Sequence, residues 1–187
     1  TPQRVARMYA EVFSGLHRDI SKDIKVFNEK GNDEMMFNLL ASHDVQRSMN
    51  LLNGDKRLVL LGYAIMMFYV GLPMIYYGEE IFMEGGGDPD CRRGMNWGKT
   101  KRKDSLAKLF QSLLLLHKDP RLQEGELSFF VEPGLLGMER RLGRKSLLLL
   151  LNAGKDIRFT EKKGEVLLSL GYEGGSIQPK GFLILAR

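Results

Sequence analysis

An apolar run, residues 35–40, is followed almost at once by Ser42, His43 and Asp44. This pattern is typical of a buried strand whose last residues emerge into a loop that carries polar chemistry. If the sheet is parallel and belongs to an α/β barrel, such residues lie at the end of the barrel where active sites form. The alternative is structural, with Asp44 capping a helix that begins near Val45. The residues by themselves leave both interpretations open.

A carboxylate and a guanidinium stand four residues apart at Asp88 and Arg92, on a loop that contains three consecutive glycines. The two groups could form an ion pair that fixes the shape of the loop. A calcium site at Asp88 and Asp90 is conceivable, but the alternating carboxylates of an EF-hand are missing from the sequence. Cys91 and the histidines never approach the spacing of metal ligands, so we expect no metal and no other cofactor.

This loop follows residues 71–83, which read Gly-Leu-Pro-Met-Ile-Tyr-Tyr-Gly-Glu-Glu-Ile-Phe-Met. Together with residues 38–44, Asn-Leu-Leu-Ala-Ser-His-Asp, this run closely resembles the α-amylase family of glycoside hydrolases. The likeness is strongest to the neopullulanase, cyclomaltodextrinase and maltogenic amylase branch. It covers nearly the whole chain and rests on two long motifs at the right separation. The resemblance implies that the strand ending in Ser-His-Asp is the seventh strand of a TIM barrel and that the next strand is the eighth.

The resemblance also implies roles for five residues. A retaining glycosidase needs two carboxyl groups for bond cleavage, and further contacts can hold the sugar ring in its distorted form. Asp44 matches the third carboxylate of the family, which makes such a contact, and His43 matches a histidine that binds hydroxyls of the same sugar. Asp88 and Arg92 match residues that bind an adjoining sugar unit, with a purely structural ion pair as the alternative. Arg47 is a further candidate for sugar binding, with an outward-facing helix arginine as its alternative.

Neighbouring acidic and aromatic residues allow more than one interpretation. Glu79 and Glu80 are adjacent, but neighbouring strand residues point to opposite faces, and the positions that they match in the family are structural. Tyr76 and Tyr77 could stack on sugar rings or fill the core. Trp97 could supply a platform for a sugar, which the sequence does not decide.

In this family the nucleophile and the acid–base residue come from the fourth and fifth barrel strands, and nothing in residues 1–33 resembles either motif. The resemblance therefore implies the C-terminal portion of an α-glucan-acting hydrolase or transglycosylase, inactive by itself. Its substrate would be a maltooligosaccharide, cyclodextrin, pullulan or starch. Because two parallel strands cannot close a barrel, we expect a homo-oligomer or association with the missing N-terminal part. The alternative function is a non-catalytic amylase-like module that binds glucan or a protein.

Predicted helices and strands alternate over the first 120 residues, as in a parallel βα architecture. The helices cover residues 2–18, 56–70 and 105–117, and the strands cover residues 35–40 and 72–77. We expect Asp104 to cap the last of these helices and Pro120 to end it.

After Arg121 the pattern changes to short strands separated by turns that contain glycine. Six strands are predicted, at residues 126–130, 135–141, 145–152, 156–160, 165–170 and 181–186. This spacing favours a small antiparallel β-sandwich. The expected fold class is therefore α/β plus all-β. The resemblance implies that residues 1–120 hold the last two βα units of a TIM (β/α)8 barrel, and we expect the sandwich at residues 121–187.

The composition is that of an ordinary globular protein, with 43% hydrophobic residues, 27% charged residues and a formal net charge of +5. Residues 99–103 form the densest basic run, but without interleaved aromatics a solvated loop is favoured over a nucleic-acid site. Residues 58–77 lack charges, but Gly71 and Pro73 divide them into a helix and a strand, so we expect no membrane span. A single cysteine and the lack of an apolar leader favour the cytoplasm.

Overall fold

The structure is a computed structural model that describes residues 37–100 and 104–187. The predicted helix over residues 2–18 and most of the basic run at residues 99–103 lie outside the described residues. Within the described ranges, no helix combines the length and the apolar character that crossing a membrane requires.

Two short strands pair in parallel near the start of the described chain. They are β1 (Phe37–Asn38) and β2 (Leu72–Pro73), and Phe37 lies opposite Leu72. The amide group of Asn38 donates a hydrogen bond to the Val70 carbonyl at 2.6 Å, which supports the pairing. The predicted parallel pair is confirmed, although both strands end earlier than the sequence predicts.

The connection between these strands consists of helices α1 (Ser48–Leu51) and α2 (Lys56–Phe68). Asp55 caps α2, because its carboxylate accepts hydrogen bonds from the backbone N–H groups of Arg57 and Leu58. Residues 59–68 of α2 are all buried, as expected for a helix that is apolar on every side. The helix predicted over residues 56–70 is therefore confirmed, and it ends early because the next residue adopts an extended backbone.

The segment after β2 is more structured than predicted. It contains two 3₁₀ turns, Glu79–Ile81 and Asp90–Arg92, and a short helix, α3 (Trp97–Thr100). The sequence predicts a loop from residue 84 onward, because single turns of helix are too short to produce a hydrophobic periodicity.

Helix α4 (Ser105–Leu116) confirms the third predicted helix, with Asp104 as its cap. Helix α4 ends before Pro120, as predicted, but Pro120 also begins a further helix, α5 (Pro120–Glu124), which the sequence analysis does not predict. Proline suits a first helical turn, where its missing N–H is not needed and its fixed φ is already helical. The Asp119 carboxylate caps α5 by accepting from the Arg121 N–H at 2.9 Å.

The Asp104 cap provides a prediction about pH. The hydrogen bond from the Lys56 ammonium, followed by those from the Ala107 and Leu106 N–H groups, holds the pKa of Asp104 below its usual 3.8. A lowered pKa stabilises the fold above the unfolded value and loses this effect as the pH falls through the folded value. We expect Asp104→Asn, which keeps a cap, to lower stability at pH 7 by less than about 1 kcal/mol. In thermal unfolding from pH 7 to pH 2.5, the difference in stability between the variant and the wild type should disappear below pH 4. A difference that stays constant over this range would contradict this account.

All six strands predicted after residue 121 are present. They are β3 (Glu126–Glu132), β4 (Leu135–Leu142), β5 (Lys145–Asn152), β6 (Arg158–Phe159), β7 (Glu165–Glu173) and β8 (Ser176–Ala186). They form one antiparallel sheet in the order β3-β4-β5-β8-β6, with β7 also paired to β8. This differs from two separate sandwich sheets, because the long strand β8 pairs with β5 through its C-terminal part and with β6 through its N-terminal part.

The antiparallel sheet is apolar on both faces. One face, with Met138 and Phe182, packs against α2 and α4 in the main core. The other face carries a second buried cluster, formed by Leu135, Leu148, Leu150, Ile177, Leu183 and Leu185. The main core draws on residues from both sides of residue 120, so the helices and the sheet support each other. The division into domains at that residue stays a prediction.

Candidate active site

His43 and Asp44 lie on the loop that follows β1, with 65% and 67% of their side chains exposed. The His43 Nε2 atom is 3.2 Å from the Asp44 carboxylate, and the Asp44 N–H donates to the Ser42 hydroxyl at 3.1 Å. Helix α1 begins only at Ser48, with Arg47 in the cap position. The helix-cap alternative for Asp44 is therefore wrong, and its carboxylate faces solvent.

Arg92 connects the loop after β2 to the loop after β1. Its Nε–H group donates to the His43 carbonyl oxygen at 2.9 Å. The same Nε atom lies 3.0 Å from the Asp88 carboxylate, with which Arg92 forms an ion pair. A terminal nitrogen of its guanidinium lies 3.5 Å from the Asp44 carboxylate. Four of the five predicted site residues thus meet on the surface, and we call His43, Asp44, Asp88 and Arg92 the site cluster.

Asp88 and Arg92 form the ion pair that the structural alternative predicts. Each side chain nevertheless keeps about half of its surface exposed. A guanidinium donates and a carboxylate accepts hydrogen bonds, so the pair offers a sugar hydroxyl both kinds of partner. The geometry is compatible with sugar binding by the same atoms that fix the loop.

Asp90 belongs to the same loop but turns toward its own backbone. Its carboxylate accepts hydrogen bonds from the Gly86 N–H at 2.7 Å and from the Arg93 guanidinium. These contacts, that of Gly86 first, hold the pKa of Asp90 below its usual value. Across the part of the chain that the structure describes, no three His, Cys, Asp or Glu side chains come close enough together to hold a metal ion.

Cys91 lies beneath the site cluster and is fully buried. Its thiol contacts the His43 carbonyl at 3.1 Å, so this one oxygen accepts from both Cys91 and Arg92. This contact is not predicted from the sequence. The only signal for it is the position of Cys91 next to Arg92, which does not reveal the partner across the loop.

The burial of Cys91 can be checked by thiol labelling, because the chain has a single cysteine. A buried thiol reacts only when the structure around it opens. We expect an aromatic disulfide reagent to label Cys91 at least about tenfold more slowly in buffer than in 8 M urea. Equal rates in both solutions would mean that the loop does not pack on His43 as described.

Arg47 does not join the site cluster, although it is the fifth predicted site residue. It is fully buried, with its guanidinium 2.6 Å from the Tyr77 carbonyl and 3.3 Å from the Glu79 carboxylate. The guanidinium also stacks on the Tyr76 and Tyr77 rings, 4.6 and 4.8 Å from their centres. The outward-facing arginine is therefore wrong, and direct contact with a sugar has no support here, because solvent does not reach the side chain.

Glu79 is the central acceptor among the buried side chains of Arg47, Ser48, Tyr63 and Glu79, which we call the buried layer. Its carboxylate receives the Ser48 hydroxyl, the Tyr63 hydroxyl at 3.0 Å and the Arg47 guanidinium. Burial, followed by the charge of Glu79, raises the pKa of Tyr63, which keeps this hydroxyl protonated and donating. The structural interpretation of Glu79 agrees with this burial, although the residue lies on a 3₁₀ turn and not on a strand.

The aromatic candidates Tyr76, Tyr77 and Trp97 differ in their contacts and exposure. The Tyr76 and Tyr77 rings pack against each other at 4.5 Å, and the Tyr77 hydroxyl donates to the Arg93 carbonyl at 2.7 Å. Trp97 has 70% of its surface exposed. Its use as a sugar platform stays a prediction.

The sequence matches the family model for the α-amylase catalytic domain over residues 6–124. The chain belongs to the α-amylase family. This agrees with the resemblance of residues 38–44 and 71–83, and with the position of the site cluster after two parallel strands.

Among α-amylase family members, the chain is 34% identical to a cyclomaltodextrinase of Geobacillus thermopakistaniensis over 128 residues, which are 66% of this chain and 22% of that protein. It is 33% identical over 134 residues to the intracellular maltogenic amylase of Bacillus subtilis, with 69% and 23% covered. The crystal structure of a maltogenic amylase from S. marinus superposes with a TM-score of 0.70 at 30% identity, over 80% of this chain and 22% of that one. The chain thus spans about a fifth of the length of these relatives.

Proposed function

We propose that the chain provides the seventh and eighth strands of a TIM barrel, followed by the β domain, in a retaining α-glucan-acting hydrolase or transglycosylase. The observation that carries this proposal is the site cluster. His43 and Asp44 follow β1, and Asp88 and Arg92 follow β2, so all four lie beyond the C-terminal ends of two parallel strands. Active sites of TIM barrels form at that end.

In the proposed mechanism, Asp44 accepts hydrogen bonds from sugar hydroxyls at the cleavage point. Such bonds strengthen as the ring distorts toward its oxocarbenium-like transition state, and they accelerate the reaction because they favour that state over the bound substrate. His43 contacts the same sugar, and Asp88 with Arg92 holds the adjoining unit. The nucleophile and the acid–base residue are supplied by other strands of the barrel, so this chain alone is inactive.

The substrate class is proposed from the relatives. Their names, cyclomaltodextrinase and maltogenic amylase, support an α-glucan such as a cyclodextrin or a maltooligosaccharide. One relative is described as intracellular, which supports a cytoplasmic location. No metal, cofactor, nucleic acid or membrane is part of the proposal.

The test is an assay of the full-length protein on β-cyclodextrin, maltoheptaose, pullulan and starch. We expect release of reducing ends, and proton NMR of the first products should show the α-anomer, as a retaining enzyme requires. Products of the β-anomer would overturn the retaining mechanism. Binding of a glucan without any bond cleavage would instead favour the non-catalytic module.

We also propose that the isolated chain associates with the rest of the barrel or with a second copy of itself. Apolar side chains are exposed on and beside β1 and β2, namely Phe37, Leu39, Leu72 and Met74. Open strand edges and apolar faces of this kind favour association. In size-exclusion chromatography the purified chain should elute as an oligomer, or as a monomer that binds a dye for exposed hydrophobic surface. A monomer that binds no dye would contradict the proposal.

A further inference from the structure

Glu79 contacts side chains from two segments that follow the loop of Asp44. Arg47 and Ser48 directly follow that loop, and Tyr63 comes from the middle of α2. All three contact one fully buried carboxylate. The Glu79 carboxylate therefore connects the end of the Asp44 loop to helix α2.

The same layer also fixes the second loop of the site. The Arg47 N–H donates to the Gly85 carbonyl at 2.9 Å, and the Gly85 N–H donates to the Asn50 side chain at 2.7 Å. A Cβ atom placed on Gly85 would lie 3.1 Å from the Arg47 Cδ atom and 3.0 Å from the Cys91 Cα atom. The Gly85 backbone thus packs between Arg47 and Cys91, the residue before Arg92, and connects Arg47 to the loop that carries Arg92.

A buried ion pair is a weak source of stability, because the cost of removing both charges from water offsets most of their attraction. The Arg47–Glu79 pair differs from an apolar pair because each charged group has hydrogen-bond partners on other segments of the chain. The pair can therefore fix the relative position of those segments. The two loops of the site cluster are connected twice, at the surface through Arg92 and in the interior through the Arg47–Glu79 pair. Their relative position depends on both connections.

We propose that Glu79 is a positioning residue that holds Asp44 and Arg92 in register for the glycosidic reaction. The inference rests on the proposed function, and Glu79 itself contacts no substrate. A misplacement of about 1 Å can cost about 100-fold in rate. Loss of the Glu79 carboxylate should therefore lower turnover by acting through Asp44.

The experiment measures kcat and KM of the full-length protein on a maltooligosaccharide. Glu79→Gln keeps the size of the side chain and removes its charge, Tyr63→Phe removes one hydrogen bond, and Glu84→Gln removes an exposed carboxylate nearby as the matched control. We expect kcat to fall about 10- to 100-fold for Glu79→Gln and less for Tyr63→Phe, with KM changed less than about threefold. The control should match the wild type.

The decisive comparison repeats each substitution in the Asp44→Asn background. A residue that acts through Asp44 has little left to lose there, so the fold-loss in kcat should shrink to less than about twofold. The same fold-loss in both backgrounds, or an unchanged kcat in a folded Glu79→Gln protein, would overturn the inference. If Glu79→Gln does not fold, Tyr63→Phe decides by the same comparison.

Labelling of Cys91 separates this inference from the proposed function. If Glu79 holds the two loops together, Tyr63→Phe should label faster than the Glu84→Gln control, whatever reaction the protein catalyses. Faster labelling without any α-glucan activity of the wild type would remove the proposed function and leave the coupling of the loops. Normal activity with unchanged labelling and unchanged kcat in Tyr63→Phe and Glu79→Gln would remove only the positioning role.

Discussion

Replacing Asp44 by asparagine is expected to lower kcat of the full-length protein on α-glucans about 100- to 1000-fold, as expected for a lost transition-state contact worth about 3–4 kcal/mol. Asparagine keeps the shape of the side chain but carries no charge to balance the developing positive charge on the sugar. Because this contact strengthens in the transition state, KM should change much less than kcat. Steady-state kinetics on β-cyclodextrin and maltoheptaose measure both quantities.

Because Asp44 is exposed, its substitution should affect activity without a large loss of stability. Its contact with Arg92 is long, at 3.5 Å, and both side chains are about half exposed or more. Exposed ion pairs of this kind contribute about 0–1 kcal/mol, so the variant should remain folded. Asp156→Asn is the matched control, because Asp156 is also exposed, lies 3.4 Å from an arginine and belongs to the connection between β5 and β6. Unchanged turnover in Asp44→Asn, or an equal loss in the control, would exclude the catalytic role.

The resemblance of residues 38–44 and 71–83 selects the four residues of the site cluster, and strand order explains why they lie close together. Two apolar runs with polar residues after each predict parallel strands, and parallel strands place the segments that follow them at the same edge. The meeting of Asp44 with Arg92 follows from that arrangement. No local pattern, however, tells that the Cys91 thiol and the Arg92 guanidinium share one carbonyl oxygen, since this depends on the path of a glycine-containing loop.

The predictions that fail concern the burial of side chains and the pairing of strands more than the type of secondary structure. Sugar binding by Arg47 and its outward-facing alternative both assume an exposed side chain, but its burial comes from Glu79 and two tyrosines some thirty residues away in the sequence. The six strands are predicted correctly, but their assembly into one sheet depends on the length of β8. Hydrophobic alternation gives the faces of a strand and not its partners. Such long-range contacts are determined by tertiary packing.

The second large effect is expected at Glu79. Glu79→Gln should lower the apparent free energy of unfolding by about 3–5 kcal/mol, because the Arg47 guanidinium is left buried without its counter-charge. The cost is greater than that of a lost surface pair, since water does not reach either side chain to compensate. The shift of the urea midpoint, followed by intrinsic fluorescence, measures the effect, and the exposed Glu84→Gln should change it by less than about 0.5 kcal/mol.

A double variant tests whether the unpaired charge is the cause. Arg47→Met removes the guanidinium but keeps an unbranched chain beside the tyrosine rings, so Arg47→Met with Glu79→Gln leaves no buried charge in this layer. Replacing both members of a buried pair is often far less costly than removing one. We therefore expect the double variant to be more stable than Glu79→Gln alone, with a coupling energy of about 1–3 kcal/mol. Additive losses would mean that Glu79 stabilises the layer through the Ser48 and Tyr63 hydroxyls and that its charge pairing with Arg47 contributes little.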